Sequence, residues 1–140
     1  MRRVLETAVL IIALLGAVLN SAPAQAAGPL VKRIETESQG NRFVLRVFLN
    51  TRLAPRIFAL GVEGGAPRVV VDFNKAARHR SVPLSLKTDS PLVRSVRVGI
   101  HKGKARKIRL VLDLVPGRIY QVDQWFRRDL NAYILVLQAQ

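Results

Sequence analysis

Arginine and aspartate recur inside apolar, strand-like segments of the sequence, where they are well placed to bind a charged ligand. Arg68 and Asp72 belong to P-R-V-V-V-D-F, Arg109 and Asp113 belong to R-L-V-L-D-L, and Arg97 belongs to V-R-V-G. A guanidinium group can donate two parallel hydrogen bonds to one carboxylate, so arginine suits ligands with free carboxyl groups. We predict that these five residues form part of a ligand-binding surface, although for each aspartate we favour a bond to a turn backbone or a pairing with a neighbouring arginine.

A hydrolytic or metal-dependent active site is not indicated. A zinc hydrolase needs about three protein ligands and a general base, whereas the chain has two histidines, His79 and His101, and no cysteine. Both histidines lie in basic segments whose cations would repel a divalent metal ion, and no H-E-x-x-H spacing occurs. No serine context resembles a nucleophile elbow. The sequence therefore predicts a protein that is not an enzyme, with no catalytic residue, metal or cofactor.

Two other stretches combine residue types that bind polymers. Lys102 and Lys104 belong to K-G-K-A-R-K, four cations in six residues on a predicted hairpin tip, which is either an electrostatic footprint or a solvated turn. Trp125 precedes a phenylalanine and two arginines. Its ring could stack on the apolar face of a sugar, and core packing explains it equally well. We include Lys102, Lys104 and Trp125 among the candidate binding residues.

The N-terminal residues have the features of a secretory signal peptide. The chain begins M-R-R, continues with an unbroken apolar run from Ala8 to Leu19, and has A-Q-A at positions 24–26. That run is shorter than the roughly 20 residues that a membrane span requires. We predict a signal peptide over residues 1–26, export by the general pathway to the periplasm, and a mature domain over residues 27–140. A retained N-terminal anchor is the alternative.

The strong positive charge limits the choice of partners. The formal net charge of the chain is +14 at pH 7. For an exported protein this charge favours the anionic polymers of the cell envelope over nucleic acid. The absence of cysteine excludes disulfides and a lipid-modified cysteine, so packing alone must stabilise the domain.

Alternation of apolar and polar residues predicts strands throughout the mature chain and indicates no helix. The predicted strands are Leu30 to Glu37, Arg42 to Leu49, Arg56 to Val62, Arg68 to Phe73, Val93 to Ile100, Lys107 to Leu114, Ile119 to Trp125 and Tyr133 to Gln138. We expect a linker between Asn74 and Pro91, with at most one short strand over Ser81 to Leu86. Short strands separated by turn residues are typical of a β-sandwich or barrel.

An internal duplication relates two halves of the chain, about 31–74 and 93–138. The two halves share the order strand, glycine turn, strand, turn and Arg-Ile-aromatic. In this register Arg46 to Asn50 matches Arg109 to Asp113, and Arg68 to Phe73 matches Tyr133 to Gln138. Two four-stranded copies can bury their apolar faces only against each other. The duplication thus predicts an all-β fold, a small sandwich of two pseudo-symmetric antiparallel sheets.

The segments P-R-V-V-V-D-F, V-R-V-G and R-L-V-L-D-L, in this order, resemble the AMIN domain family. The resemblance covers Leu30 to Leu137, with two departures: A-P stands where the family often has two prolines, and Ile100 follows the glycine where glutamine is common. It implies a periplasmic β-sandwich found beside cell-wall amidases and type IV pilus secretins, which it targets to peptidoglycan. It implies no chemistry of its own.

These observations favour a noncatalytic module that binds peptidoglycan or another anionic envelope polymer. The alternative is a protein-interaction part of an envelope machine such as a secretin complex, with exposed strand edges pairing to a partner. A cell-wall amidase or a secretin complex is the expected protein partner. Nucleic-acid binding would suit the charge and the small β fold, but the predicted signal peptide opposes it.

Overall fold

The structure, a computed structural model, describes residues 28–140, all but one turn of which are strands and loops. The strands are β1 Leu30–Gln39, β2 Arg42–Leu49, β3 Arg56–Leu60, β4 Arg68–Asn74, β5 Ala77–Arg78, β6 Ser85–Lys87, β7 Val93–His101, β8 Lys107–Leu114, β9 Tyr120–Arg127 and β10 Ala132–Ala139. A single 3-10 turn, Arg128–Leu130, lies between β9 and β10. The all-β prediction is confirmed, while the predicted signal peptide lies outside the described residues.

The segment between Asn74 and Pro91 differs from its prediction. It contains two short strands rather than at most one, because Ala77 pairs in parallel with Leu30 at the edge of one sheet and Ser85 pairs with Arg97 at the edge of the other. Only three or fewer residues pair in each case. Neighbouring strands induce such short edges, so the local sequence gives no periodic signal for them.

The strands form two five-stranded sheets. The first sheet has the order β5-β1-β2-β10-β9, and the second sheet has the order β3-β4-β8-β7-β6. All described pairings are antiparallel except β1 with β5. The two halves do not each form one sheet, since each sheet takes two long strands from each half. The halves therefore interleave. If β1–β4 are exchanged in order with β7–β10, the order of the long strands in the first sheet becomes that of the second sheet.

The core lies between the facing sheets. Alternate residues of the central strands are fully buried there, including Phe43 and Leu45 on β2, Phe73 on β4 and Leu110 on β8. Phe73 meets Tyr133 of the first sheet edge to face, with ring centroids 5.6 Å apart, a geometry that aromatic pairs prefer. The alternation that identified the strands therefore also identified the core-facing residues.

The structural register of the duplication differs from the sequence register. Each half has a β-bulge at the equivalent place, between Val31 and Arg33 and between Val93 and Ser95. Val31 pairs with Leu49 and Val93 pairs with Leu114, so β2 corresponds to β8 over its full eight residues. Arg109 is therefore equivalent to Val44 and not to Arg46. Likewise, β4 residues 68–73 match residues 132–137, one position from the predicted match.

The cause of this error is loop length. Two residues connect β1 to β2, whereas residues 102–106 connect β7 to β8. The longer loop adds three residues where the sequence match allowed one. The likeness of R-V-F-L-N to R-L-V-L-D favoured the smaller insertion, and side-chain similarity alone could not reveal the strand pairing.

Candidate ligand-binding face

The outer face of the second sheet brings together the five predicted arginine and aspartate residues. In the register of β4 and β8, Arg68 lies directly opposite Asp113 and Asp72 lies directly opposite Arg109. Arg97 lies on the neighbouring strand β7. These five positions alternate with core residues along their strands, so their side chains point away from the core. We call this surface the cationic face; it comprises Arg56, Phe58, Arg68, Asp72, Lys87, Arg97, Lys107, Arg109 and Asp113.

The centre of the cationic face is an ion pair between the buried Asp72 and the partly exposed Arg109. Nε of Arg109 donates to Oδ1 of Asp72 at 2.7 Å, and Nη2 donates to Oδ2 at 2.8 Å. Nζ of Lys107 lies 3.4 Å from the same carboxylate, and Asp72 is only 1% exposed. The hydrogen bonds from Arg109 lower the pKa of Asp72, although burial opposes them. Asp72 is therefore an ionised carboxylate whose charge is neutralised within the protein.

A second, more exposed ion pair joins Arg97 to Asp113. Nε and Nη2 of Arg97 donate to the two carboxylate oxygens at 2.7 and 2.9 Å, and the Ser95 hydroxyl donates at 2.9 Å. The hydrogen bonds from Arg97 lower the pKa of Asp113, and the positive charge of Arg68 contributes to the same shift. Because the Arg97 side chain is half exposed, water screens this pair more than the Asp72 pair.

These two ion pairs change the expected roles of the arginines. Arg97 and Arg109 direct their paired donors at aspartates, so neither fork is free to hold a ligand carboxylate in this geometry. Arg68 differs, since its buried Nε has no hydrogen-bond partner among residues 28–140. Arg56 is exposed at the edge of the same face. Arg56 and Arg68 are therefore the arginines best placed to meet an anion.

Phe58 completes the cationic face and was not predicted as a site residue. Its ring lies 5.1 Å from the guanidinium carbon of Arg56 and 5.6 Å from that of Arg109. Both distances fall within the range of cation–π contact. The signal was present in the alternation R-I-F, which places Arg56 and Phe58 on one side of a strand. The result is an aromatic ring beside cations, a combination that suits a charged sugar polymer.

Comparison with protein-family models gives one match, to the AMIN domain, over residues 62–135. This match spans more than half of the sequence. The chain belongs to the AMIN domain family. AMIN domains are noncatalytic periplasmic domains of amidases and secretins. No curated protein matches the chain.

The structure extends this AMIN domain beyond the matched residues. β2 ends before residue 62, yet it lies between β1 and β10 in the first sheet. A unit that began at residue 62 would lack the strand that connects β10 to β1. The sandwich of the described residues therefore includes strands that precede the matched segment.

The other candidate residues of this AMIN domain lie elsewhere. Lys102 and Lys104 are exposed in the loop between β7 and β8, at one end of the second sheet. Trp125 lies on the outer face of the first sheet, opposite Ile134, and is 45% exposed, so it is not a core residue. The structure does not bring Trp125 to the cationic face, because β9 belongs to the other sheet.

Neither a metal site nor a spanning helix occurs in the described part of the chain. Residues 28–140 contain no group of three or more histidine, aspartate or glutamate side chains arranged to hold a metal ion. Over the same residues, no helix has the length and apolar character needed to cross a membrane.

The two outer faces are chemically different even though the sheets are related by pseudo-symmetry. The equivalents of Asp72 and Arg109 on the first sheet are Val136 and Val44, which lie directly opposite each other and are both buried. With Ile134 and Ala132 they form a small apolar cluster. The Asp72–Arg109 ion pair thus has no counterpart at the equivalent positions of the first sheet. Any function that depends on this pair therefore belongs to the outer face of the second sheet.

The lowered pKa values of Asp72 and Asp113 predict acid sensitivity. Because both folded-state pKa values lie below those of the unfolded chain, near 3.9, the ion pairs contribute fully above that pH. Their contribution is lost as the pH falls through the folded-state values. We expect the urea midpoint to fall steeply below about pH 4. In Asp113→Asn the decline should be shallower and the midpoint at pH 7 lower than in the wild type.

The exposed Asp123 provides the control for this measurement, because it lies on β9 and forms no ion pair within the described chain. Asp123→Asn should leave the pH profile close to that of the wild type. Identical profiles for Asp113→Asn and Asp123→Asn would refute the role of the Arg97–Asp113 pair.

Proposed function

We propose that this AMIN domain is a noncatalytic periplasmic module that binds peptidoglycan, or a chemically similar anionic envelope polymer, through the cationic face. The supporting observation is that Arg56, Arg68 and Phe58 are presented on one sheet surface whose two aspartates are already paired. Membership of a family found with amidases and secretins supports the same function. The predicted signal peptide supports the periplasmic location.

The chemistry of the cationic face matches that of a wall polymer. Peptide stems carry free carboxylates, whose two oxygens match the two parallel donors of an arginine side chain. Sugar rings have apolar faces that can stack on an aromatic ring such as Phe58. Because Asp72 and Asp113 are paired with arginines, they repel an approaching carboxylate less than unpaired ionised aspartates would. An adaptor of this kind would bring an attached or associated envelope protein to the wall.

Co-sedimentation with purified insoluble peptidoglycan tests this proposal. We expect the protein to sediment with the polymer at moderate salt. Arg56→Glu combined with Arg68→Glu should weaken binding at least about tenfold, equivalent to about 1.4 kcal/mol. Lys102→Glu with Lys104→Glu should have a smaller effect, because these lysines lie on a loop outside the cationic face.

The matched control is Arg42→Glu, an equally exposed arginine on the outer face of the first sheet. It should weaken binding by less than about twofold in total, through long-range electrostatics alone. Equal losses of peptidoglycan affinity in Arg42→Glu and Arg56→Glu would show that binding depends on the general positive charge of the protein and not on the cationic face. A wild-type protein that stays in the supernatant would contradict the proposed function.

A further inference from the structure

We propose that the open edge of β9, together with the cleft between β9 and β3, is a docking site for an extended peptide segment with alternate aliphatic side chains and a carboxylate at one end. The segment would pair with β9 as an added strand. This interaction differs from the proposed binding of wall polymer, since its main contact is the open edge of β9 in the first sheet, although the two surfaces share Arg68 and meet at Phe58. Its partner is another polypeptide.

β9 is the longest unpaired edge of the described sandwich. The four edge strands are β5, β6, β3 and β9, with two, three, five and eight residues. β9 contains no proline, lysine or bulge, the devices that usually protect an edge from pairing. An edge of this length offers a peptide several backbone hydrogen bonds.

The direction of the free backbone groups follows from the pairing of β9 with β10. The amide of Gln140 donates to the carbonyl of Ile119, and the ladder continues with Gln121 opposite Gln138. In an antiparallel ladder the bonded pairs occur at alternate residues. The odd-numbered residues of β9 thus bond to β10. The amides and carbonyls of Val122 and Gln124, like those of every even-numbered β9 residue, point away from the sheet.

Alternate side chains of an added strand would enter an apolar cleft. A cavity of about 350 Å³ lies beside β9, with Val62, Val69, Leu114, Ile119 and Val122 in its walls. A second cavity of about 260 Å³ continues along the same side between β3 and β9. Val62 and Ile119 are each 69% exposed. A cluster of exposed aliphatic residues beside an open strand edge is typical of an interaction surface.

The charges at the cleft define one end of the occupant. Arg68 and Arg118 both line the larger cavity, and Nε of Arg68 is buried without a hydrogen-bond partner in residues 28–140. No acidic residue is among those that line this cavity. A buried donor without an acceptor is costly, so a carboxylate placed here would satisfy it. That carboxylate can come from an acidic side chain or from a peptide C-terminus.

Hydrogen exchange tests the docking site. The probe is a synthetic heptapeptide of alternating threonine and valine that ends in aspartate with a free C-terminus. We expect millimolar peptide to slow amide exchange at Val122 and Gln124 at least about tenfold, as for a newly bonded edge amide. The amides of Asp123 and Trp125 should change little, since they already bond to β10. No slowing at Val122 and Gln124 would overturn the proposal.

Matched variants distinguish backbone pairing from nonspecific hydrophobic binding. Gln124→Pro and Gln124→Ala both lose the side chain that accepts a hydrogen bond from Tyr133, but only Gln124→Pro also removes the outward N–H, so it should bind the peptide at least about tenfold more weakly than Gln124→Ala. Equal binding by the two variants would refute strand addition. Both should bind peptidoglycan normally, so this test and the sedimentation test fail independently.

The carboxylate source and the competing occupant are tested with the same readout. Peptides with a C-terminal amide, or with asparagine as the last residue, identify which carboxylate meets the arginines. Arg118→Glu should weaken only peptides that keep that group. If Val122 and Gln124 become protected without peptide as protein concentration rises, and the mass doubles, the edge pairs with a second copy and the peptide proposal fails.

Discussion

Arg109→Met should lower the free energy of unfolding by about 3 kcal/mol, the lower end of the range of about 3–5 kcal/mol measured when one partner of a buried ion pair is removed, because the Arg109 side chain is 30% exposed. The variant leaves the carboxylate of Asp72, which is 1% exposed, with Lys107 at 3.4 Å as its remaining cationic partner among residues 28–140. Lys107 should place the loss at the lower end of the range. Urea denaturation at pH 7 measures the effect.

The pseudo-symmetry provides the control for this loss. Asp72→Val combined with Arg109→Val recreates the Val136–Val44 pair that occupies the equivalent place on the first sheet. Replacing a buried ion pair by well-packed apolar residues is often neutral or stabilising by about 1–4 kcal/mol. We expect the double variant to be as stable as the wild type or more so. A double variant less stable than Arg109→Met would show that the second sheet depends on the ion pair itself.

Phe73→Ala should cost about 3–5 kcal/mol, the usual range for phenylalanine in a core. Phe73 is fully buried and meets Tyr133 edge to face, so the truncation removes a contact between the two sheets and leaves a cavity. The loss should appear as a lower urea midpoint. A small domain can lose most of its stability from one such change.

Phe58→Ala is the matched control, since it truncates the same residue type on the adjacent strand but on the outer face. It should lower stability by less than about 1 kcal/mol, as expected outside the core. It should nevertheless weaken binding to peptidoglycan. Equal destabilisation by Phe73→Ala and Phe58→Ala would mean that the outer face contributes as much packing as the core.

The strands were predictable because alternation is a local property. The predicted bounds of Arg42 to Leu49 and of Lys107 to Leu114 agree with β2 and β8, since each strand buries every second residue. The interleaving of the halves was not predictable in the same way. Whether β2 meets β10 depends on pairing across about ninety residues, and no local pattern encodes it.

The candidate site was predicted in composition and not in geometry. The motifs identified Arg68, Asp72, Arg97, Arg109 and Asp113, and strand alternation places them on one face. The sequence could not show that two of these arginines bond the two aspartates, because that depends on cross-strand register. Phe58 was missed for a related reason, since its place in the candidate site depends on cations that other strands bring beside its ring, such as Arg109.

The interleaved halves also affect how quickly the fold can form. β2 is held between β1 and β10, and β4 is held between β3 and β8, so neither sheet can close from one half alone. Folding dominated by such distant pairings is slow, on the order of milliseconds to seconds, because loop closure must precede the stabilising contacts. A chain with this topology stays unfolded until its later strands are available.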